Sequence, residues 1–418
     1  MVEEEHTQEF ILEKECELRF EVESKGQKVE LELKSGLAEV FGTELVKQKK
    51  YKFSNGSKVA VFTWHGCTLQ LTGRTEVAYI AKETPMSIYS NCHQALEELR
   101  KKADDDDLPG PVVMIVGPRD VGKTTLCKIL LNYAARMHRR PTYIDLDVTR
   151  AQICMPGCIG AIRVERQLNP AEGFHVQSPL TYHFGKLSPN DNIDHYNIAV
   201  TELAKHSKLT DNKKTKISGT IINTPAWVKG ESEKLILHAI ESFKVDAVLV
   251  LDQERLYNEL VKIKPESLKA ILIPKSGGVV AKSQLQRDEI REIFIKEYFY
   301  GGRIPLYPHS FEVKWSDVNI FKIGAPLLPS SCMPVGMKVE DNSTKIVNIT
   351  PSLSILHHVL CVTFAQSAET IFETNLAGFV VVTNVDVDRQ CLTLLSPQPG
   401  PLMHNHLILS DLQFMDTH

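Results

Sequence analysis

A chain of 418 residues is too long for one ordinary hydrophobic core, and its length predicts about three domains. Hydrophobic residues make up 43% of the chain and charged residues 24%, which is typical of a globular protein, and no apolar run approaches the length of a membrane span. The formal net charge of −4 excludes nucleic-acid binding through overall charge, so such binding would need a local basic surface.

The first part of the chain has the pattern of an all-β domain. Three of the first five residues are glutamate, so the N-terminus lacks the basic and apolar regions of a signal peptide. Apolar and polar residues alternate at 18–22, at 29–33 and, after an Asn-Gly turn, at 59–63. We therefore predict a small β-sandwich or barrel.

A helix and a linker are predicted to follow the β domain. The helical pattern covers 92–102, so the N-terminal domain with its trailing helix is predicted over 1–103. The segment 104–111 begins with four aspartates and contains Pro and Gly, which favours a solvated linker over a metal site.

Strands and helices then alternate, as a parallel sheet requires. This pattern predicts an α/β domain over 112–302, closed by a Gly-rich boundary, and a β-rich C-terminal domain over 303–418. The strands predicted for the α/β domain are 112–116, 142–146, 219–223, 246–251 and 269–273. Those predicted for the C-terminal domain are 318–323, 345–349, 359–363, 378–385 and 391–395.

The segment from Gly117 to Thr124 matches the phosphate-binding loop pattern G-x-x-x-x-G-K-[ST], between a predicted strand and a predicted helix. Its glycines let backbone N–H groups turn toward an anion, and the helix N-terminus adds partial positive charge. In this pattern Lys123 reaches the β- and γ-phosphates of a nucleotide, and the Thr124 hydroxyl binds Mg²⁺.

Two carboxylates, Asp145 and Asp147, end the next predicted strand. Acidic residues at such a position support Mg²⁺ or accept a proton from the attacking group, and Asp147 at the strand tip is better placed to meet a substrate. The alternative is a pair of carboxylates that caps a helix. A guanine-reading Asn-Lys-x-Asp motif is missing, since Lys275-Ser276-Gly277-Gly278 lacks the aspartate, which argues against a GTPase.

Three further features leave two interpretations each. The predicted helix 281–300 carries Arg287 and Arg291 and is either a lid over the triphosphate or a solvated helix with internal ion pairs, since acidic residues are interleaved. Trp227 either stacks on a nucleobase or is a core tryptophan. His183 is more often a packed histidine than a catalytic base.

The nine cysteines are an odd number and contain no CxxC pair. Cys154 and Cys158 are the closest pair, and no second pair with metal-ligand spacing accompanies them. The spacing therefore argues against a zinc site and favours reduced thiols of the cytosol or nucleus.

Together these motifs resemble, over nearly the full length, the Clp family of polyribonucleotide 5′-hydroxyl kinases, a subunit of pre-mRNA cleavage complex II. The phrases that carry the resemblance lie at 17–23, 41–45, 60–66, 117–124, 252–260, 274–280 and 297–301. The resemblance implies a P-loop kinase domain between two β domains, ATP and Mg²⁺ as cofactors, and RNA with a 5′-hydroxyl end as substrate. It also implies mRNA 3′-end cleavage in the nucleus with the large subunit of cleavage factor II as partner, and a link to the tRNA splicing endonuclease.

The resemblance also implies roles for individual residues. Glu17 and Lys58 are expected near the adenine, and Asp147 as the base for the 5′-hydroxyl. Trp227 is expected to stack on a terminal base, and Arg287 and Arg291 to belong to the lid. The residues expected at the phosphates are Asp120, Val121, Gly122, Lys123, Thr124 and Thr125, with Thr124 and Asp145 at the metal.

The chain departs from the family pattern around the reaction centre. Where the family reads Asp-x-Gly-Gln-Gly, this chain has Thr149 and Arg150 in place of the first Gly and the Gln. Pro225-Ala226 replaces Cys-Gly before Trp227, and Lys282 replaces the first lid arginine. Two hypotheses follow: an ATP-dependent RNA 5′-kinase, or an ATP-binding scaffold of the cleavage complex with weak or no turnover.

Overall fold

A computed structural model describes residues 6–22, 28–149, 152–209, 212–226, 232–263, 268–302, 304–324 and 342–415. Arg150 and Trp227, on which two of the predictions depend, lie outside these residues. The fold has an N-terminal β-sandwich, a central domain with a mostly parallel sheet and a C-terminal β-rich domain, so the predicted fold class is confirmed.

The N-terminal sandwich packs two antiparallel sheets, ordered β1-β8-β3-β6 and β5-β4-β7-β2-β9. The alternation in the sequence explains it: Leu31 and Leu33 are fully buried, whereas Glu30 and Glu32 face the opposite side. The strands are β1 Thr7–Leu12, β2 Cys16–Val22, β3 Val29–Gly36, β4 Glu39–Val40, β5 Thr43–Glu44, β6 Lys50–Phe53, β7 Lys58–Thr63, β8 Cys67–Thr72 and β9 Thr75–Ala81.

The trailing helix, α1, spans Met86–Asp105, so it begins six residues before the predicted start at Cys92. It also includes Asp104 and Asp105, the first two aspartates of the predicted linker. Arg100 on this helix is buried and donates to the carbonyl of Ser218 at 2.9 Å, which fixes α1 against the central domain.

The central sheet has the order β13-β12-β11-β14-β10-β15-β16. The five strands from β11 to β16 in this order are parallel and agree with the predicted strands to within one residue at each end. The elements are β10 Val112–Val116, α2 Lys123–Arg136, β11 Thr142–Asp145, β12 Cys158–Arg163, β13 Leu180–His183, α3 Ile193–Ser207, α4 Lys213–Ser218, β14 Thr220–Asn223, α5 Ser232–Phe243, β15 Ala247–Leu251, α6 Glu254–Ile263, β16 Lys269–Ile273 and α7 Gln284–Tyr300.

The antiparallel extension of this sheet by β12 and β13 was not predicted. Both strands are short and buried on both faces, so neither shows a polar–apolar alternation. Gly160 inside β12 weakens the strand pattern further, because glycine is depleted in strands.

The C-terminal sheet has the order β17-β22-β21-β20-β23-β18-β19. It contains the five predicted strands and two that were not predicted, β17 and β23. Its strands are β17 His309–Lys314, β18 Asn319–Ile323, β19 Ile346–Ile349, β20 His358–Thr363, β21 Leu376–Asp386, β22 Cys391–Ser396 and β23 His406–Gln413.

Both β domains contact the central domain directly. On one side, Asn132 of α2 donates to the carbonyl of Phe41 at 2.8 Å. On the other side, the backbone N–H of Asp411 donates to the carbonyl of Gly185 at 2.8 Å, just beyond β13. In the part of the chain that is described, no helix is long and apolar enough to cross a membrane.

Candidate active site

The phosphate-binding loop lies where β10 ends and α2 begins, at the carboxyl end of the parallel sheet. Gly117 and Gly122 have φ angles of 153° and 93°, which a side chain would strain. A Cβ atom at Gly117 would also lie 2.7 Å from the carbonyl oxygen of Leu251. Both loop glycines are therefore required by the backbone, as the motif predicts.

Lys123 is the first residue of α2, and its ammonium group folds back onto the loop. Nζ donates to the carbonyl oxygens of Gly117 at 3.0 Å and Pro118 at 2.7 Å. Burial lowers the pKa of Lys123 to about 8, and the nearby Asp147 carboxylate opposes that shift. A phosphate would offer this desolvated charge a stronger partner than two neutral carbonyls.

Asp145, the last residue of β11, is fully buried beneath the loop. It accepts hydrogen bonds from Nδ2 of Asn223 at 2.9 Å and from the backbone N–H groups of Gln152 at 2.9 Å and Asp147 at 3.1 Å. Burial, and secondarily the charge of Asp147, raises the pKa of Asp145 to about 7. A nearby cation would favour the ionised form of this buried carboxyl group.

Asn223 connects this carboxylate to the loop. Its Nδ2 also lies 3.5 Å from Oγ1 of Thr124, so the Thr124 hydroxyl, the Asn223 amide and the Asp145 carboxylate lie in one continuous chain of contacts. The Thr124 hydroxyl and the Asp145 carboxylate offer oxygen atoms, the ligand type that Mg²⁺ prefers. Thr124 and Asp145 are thus the residues that would hold a magnesium ion at this position.

Asp147 lies just past the end of β11 and lines the cleft rather than the core. One of its oxygens, Oδ1, accepts two hydrogen bonds from Thr149, at 2.6 Å from the hydroxyl and at 3.1 Å from the backbone N–H. The hydroxyl bond is a direct consequence of the departure at Thr149, because glycine has no hydroxyl to donate.

Helix α7 begins with a capping box, in which Ser283 and Gln286 bond each other's backbone N–H groups. Arg287 pairs with Asp120 of the phosphate-binding loop and donates to the carbonyl of Lys282 at 2.9 Å. The backbone N–H of Lys282 donates to the same aspartate at 3.2 Å. The structure thus brings the start of α7 onto the loop, as the lid hypothesis expects.

Arg291, one turn further along α7, pairs with Asp288 of the same helix. This contact is of the kind that the solvated-helix alternative expects. Both arginines nevertheless line the cleft.

The N-terminal domain supplies the far end of the cleft. Glu17 is buried, forms an ion pair with Arg19 at 2.8 Å and accepts from the Thr84 hydroxyl. Lys58 pairs with Glu21 at 2.7 Å. The guanidinium of Arg19 also donates to the Ser276 hydroxyl at 3.4 Å, which joins this end to the loop after β16.

These groups surround one cleft with a volume of about 1540 Å³. The predicted residues that line it are Glu17, Lys58, Asp120, Val121, Gly122, Lys123, Thr124, Thr125, Asp147, Arg287 and Arg291. Asp145 lies beneath its floor and is 1% exposed. Trp227 is outside the described residues, although Pro225 and Ala226, immediately before it, line the cleft.

Sequence reasoning missed two residues of the site. Asn223 ends a strand that was correctly predicted, and a polar residue at that end of a parallel strand was the available signal. Arg19 sits in an alternating β-strand and gave no such signal, because its partner Ser276 is 257 positions away.

With this geometry established, comparison with known proteins identifies the family. Three family models match in succession: the N-terminal β-sandwich domain of polyadenylation factor over 11–103, the mRNA cleavage and polyadenylation factor CLP1 P-loop over 117–301, and the pre-mRNA cleavage complex II protein Clp1 over 306–416. The chain belongs to the Clp1 family. The predicted resemblance is therefore confirmed.

Relatives in the Clp1 family match over nearly the whole chain. The protein CLP1 homolog of Culex quinquefasciatus is 56% identical over 413 residues, 98% of both chains. The polyribonucleotide 5′-hydroxyl-kinase Clp1 of Rattus norvegicus is 52% identical over 98% of this chain and 97% of its own. A solved Clp1p–Pcf11p complex aligns with a TM-score of 0.85 at 25% identity, covering 99% of both chains.

Proposed function

We propose that this Clp1-family chain binds ATP with Mg²⁺ in the cleft and serves as the kinase-fold subunit of an mRNA 3′-end cleavage complex. The observation that carries the proposal is the set of joined contacts from Thr124 through Asn223 to Asp145, beside the Lys123 ammonium group in the phosphate-binding loop. Mg²⁺ at Thr124 and Asp145 would neutralise phosphate charge, and the family's P-loop implies the use of ATP.

At the end of the cleft opposite the phosphate-binding loop, the residues fit an adenine base held between the N-terminal and central domains. Glu17 and Lys58 come from the N-terminal sandwich, and the loop after β16 closes the cleft opposite them through Ser276 and Gly278. A Cβ atom at Gly278 would lie 2.9 Å from the Arg19 side chain, so this close approach depends on glycine. ATP would therefore bridge the N-terminal and central domains and stabilise their contact.

We further propose that phosphoryl transfer to RNA is slow. In such a transfer, the 5′ oxygen bonds to the γ-phosphorus as the bond to the ADP oxygen breaks, and a base accepts the hydroxyl proton. Asp147 is the residue in position, but one of its carboxylate oxygens already accepts two hydrogen bonds from Thr149. Both bonds go to Oδ1, so that oxygen is directed to Thr149 rather than to a substrate hydroxyl.

The second candidate is an active polyribonucleotide 5′-hydroxyl kinase. It is favoured by Lys123, Asp147 and Arg287, which all line the cleft, and by the name of the rat relative. The second oxygen of Asp147 is the group that would act in this case.

Partners and location follow from the family. The solved relatives are complexes of Clp1p with Pcf11p, which supports a cleavage factor II large subunit as the partner of this chain. We propose the nucleus as its location, RNA with a 5′-hydroxyl end as its ligand, and the tRNA splicing endonuclease as a second assembly.

Two measurements test these proposals separately. Calorimetry with ATP and Mg²⁺ tests nucleotide binding, and transfer of labelled γ-phosphate to a 5′-hydroxyl RNA oligonucleotide tests turnover. Binding with slow transfer supports the scaffold role. Rapid transfer would favour the kinase, and absence of ATP binding would contradict both. Purification from nuclear extract that recovers no 3′-end processing subunit would contradict the partner proposal.

A further inference from the structure

A cluster of metal-ligand side chains lies between the central and C-terminal domains, outside the lining of the cleft. Cys158 begins β12, His183 ends β13 and Cys361 lies on β20. One ligand atom from each of these three lies within 4.8 Å of the other two, and Nδ1 of His183 is 3.2 Å from Sγ of Cys361. All three side chains are buried.

A fourth thiol accompanies the cluster. Cys154 is buried, four residues before Cys158, and its Sγ lies 3.6 Å from the carbonyl oxygen of Cys158. The turn between these two cysteines passes through Gly157, whose φ of 76° suits glycine. Cys154 is thus a candidate fourth ligand beside the cluster of Cys158, His183 and Cys361.

The backbone around His183 fixes the direction of its ring. Gly185, at a φ of 80°, lies against it, and a Cβ atom there would come within 2.6 Å of Nε2. The antiparallel pairing of Cys158 with His183 places both residues at the same register position of β12 and β13. The imidazole therefore presents Nδ1 to the thiols without rearrangement of the strands.

We propose that Cys158, Cys361, His183 and Cys154 bind one Zn²⁺ ion that joins the central domain to the C-terminal domain. Thiolate and imidazole ligands suit Zn²⁺, and a buried set of four without an open position is typical of a structural site. Thiols that are kept reduced inside the cell more often bind metal than form disulfides.

The proposed zinc site accounts for the absence of a second cysteine pair in the sequence. Cys154 and Cys158 lack a second CxxC-like pair because the remaining ligands come from two different strands, one of them in another domain. Zinc would act here as a cross-link between residues 158 and 361, independently of nucleotide in the cleft.

The test uses the full chain without a polyhistidine tag, purified from zinc-supplemented cells under reducing conditions. Elemental analysis is expected to find one zinc ion per chain in the wild type. After replacement of zinc by Co²⁺, thiolate-to-cobalt charge-transfer bands and strong visible d–d bands of a tetrahedral site are expected. Removal of zinc is expected to lower the melting temperature.

Variants and a matched control define the site. Cys158→Ser and Cys361→Ser are expected to lose zinc and the cobalt spectrum. Cys391→Ser, which removes a buried thiol on β22 of the same C-terminal sheet, is expected to keep both. If the site variants fail to fold, the zinc content and the cobalt spectrum of the wild type are sufficient to test the proposal.

Two results would overturn the proposal. The first is folded wild-type protein that contains no zinc and gives no cobalt spectrum after reconstitution. The second is a Cys158–Cys361 disulfide found by mass spectrometry in protein from intact cells, since those sulfurs would then be unavailable to a metal.

Discussion

The two sides of the cleft differ in how they are built. The phosphate side is one continuous segment, Gly117 to Thr124, and every position that the motif requires is present and in place. On the acceptor side, Asp147 is present but accepts two hydrogen bonds from Thr149, where the family has glycine. We therefore expect nucleotide binding and phosphoryl transfer to be separable in this chain.

The difference also concerns charge. On the phosphate side, burial lowers the pKa of Lys123, which increases the advantage of a phosphate partner. Beneath the acceptor side, burial raises the pKa of Asp145, which increases the advantage of a metal ion. The proposed ligand, ATP·Mg²⁺, would offer each of these two buried groups a partner of opposite charge.

The largest effect is expected at the phosphate side. Lys123→Ala removes a charge-assisted contact, so ATP affinity should fall by about 1.5–3 kcal/mol, measured by calorimetry with Mg²⁺. Lys101→Ala, an exposed lysine on α1, serves as the control and should leave affinity unchanged. Equal ATP affinity in the Lys123→Ala variant and the wild type would contradict the nucleotide site.

Trp227→Ala tests RNA recognition. Loss of one stacking contact should weaken binding of a 5′-hydroxyl RNA by about 1–3 kcal/mol with little change in melting temperature. Fluorescence anisotropy gives the affinity, and ATP binding serves as the internal control. A sharp fall in melting temperature without selective loss of RNA binding would indicate a core tryptophan.

The comparison predicts a gain of activity when Thr149 is restored to glycine. Thr149→Gly combined with Arg150→Gln should raise labelled-phosphate transfer to RNA by roughly tenfold, because a hydrogen bond of about 1.5 kcal/mol no longer holds Asp147. Thr149→Ser keeps a hydroxyl and should stay near the wild-type rate. Robust turnover by the wild type, or a fall in Arg150→Gln, would show that these residues work in catalysis.

The raised pKa of Asp145 predicts a pH dependence of stability. Its value of about 7 lies above the ordinary 3.8, so the stability that the protonated form contributes is lost as pH rises from about 4 to about 7. Without Mg²⁺, the stability of Asp145→Asn should therefore depend less on pH between about 4 and 7 than that of the wild type, as measured by thermal unfolding.

Addition of Mg²⁺ distinguishes an effect at Asp145 from non-specific stabilisation of the protein by the ion. It should stabilise the wild type at pH 8 but not Asp145→Asn, as followed by thermal unfolding. Asp388→Asn, in an exposed turn, is the matched control. Equal stabilisation of wild type and Asp145→Asn by Mg²⁺ would place the metal elsewhere.

The smallest effect is expected at the lid. Arg287→Ala breaks a partly exposed ion pair with Asp120, worth about 0.2–1 kcal/mol. Hydrogen exchange at the start of α7 should become faster in the absence of ATP. Arg255→Ala, which removes an exposed pair within α6, should leave α7 unaffected. Unchanged exchange in Arg287→Ala would show that other contacts hold the lid.

The sequence alone determined the phosphate-binding loop, the five parallel strands and the succession of a β, an α/β and a β-rich region along the chain. These features depend on contacts between residues close along the chain: glycine φ angles, strand alternation and a strand–loop–helix junction. The family followed from the same local phrases. Local sequence is sufficient there because each requirement is met within a few residues.

Only the tertiary structure decided which side chains meet. The contacts of Asn223 with Asp145, Arg287 with Asp120, and Arg19 with Ser276 join positions 78 to 257 residues apart. The same holds for Cys158, His183 and Cys361, which the spacing of the cysteines argued against as a metal site. Such contacts depend on strand order and domain packing, so no short stretch of sequence records them.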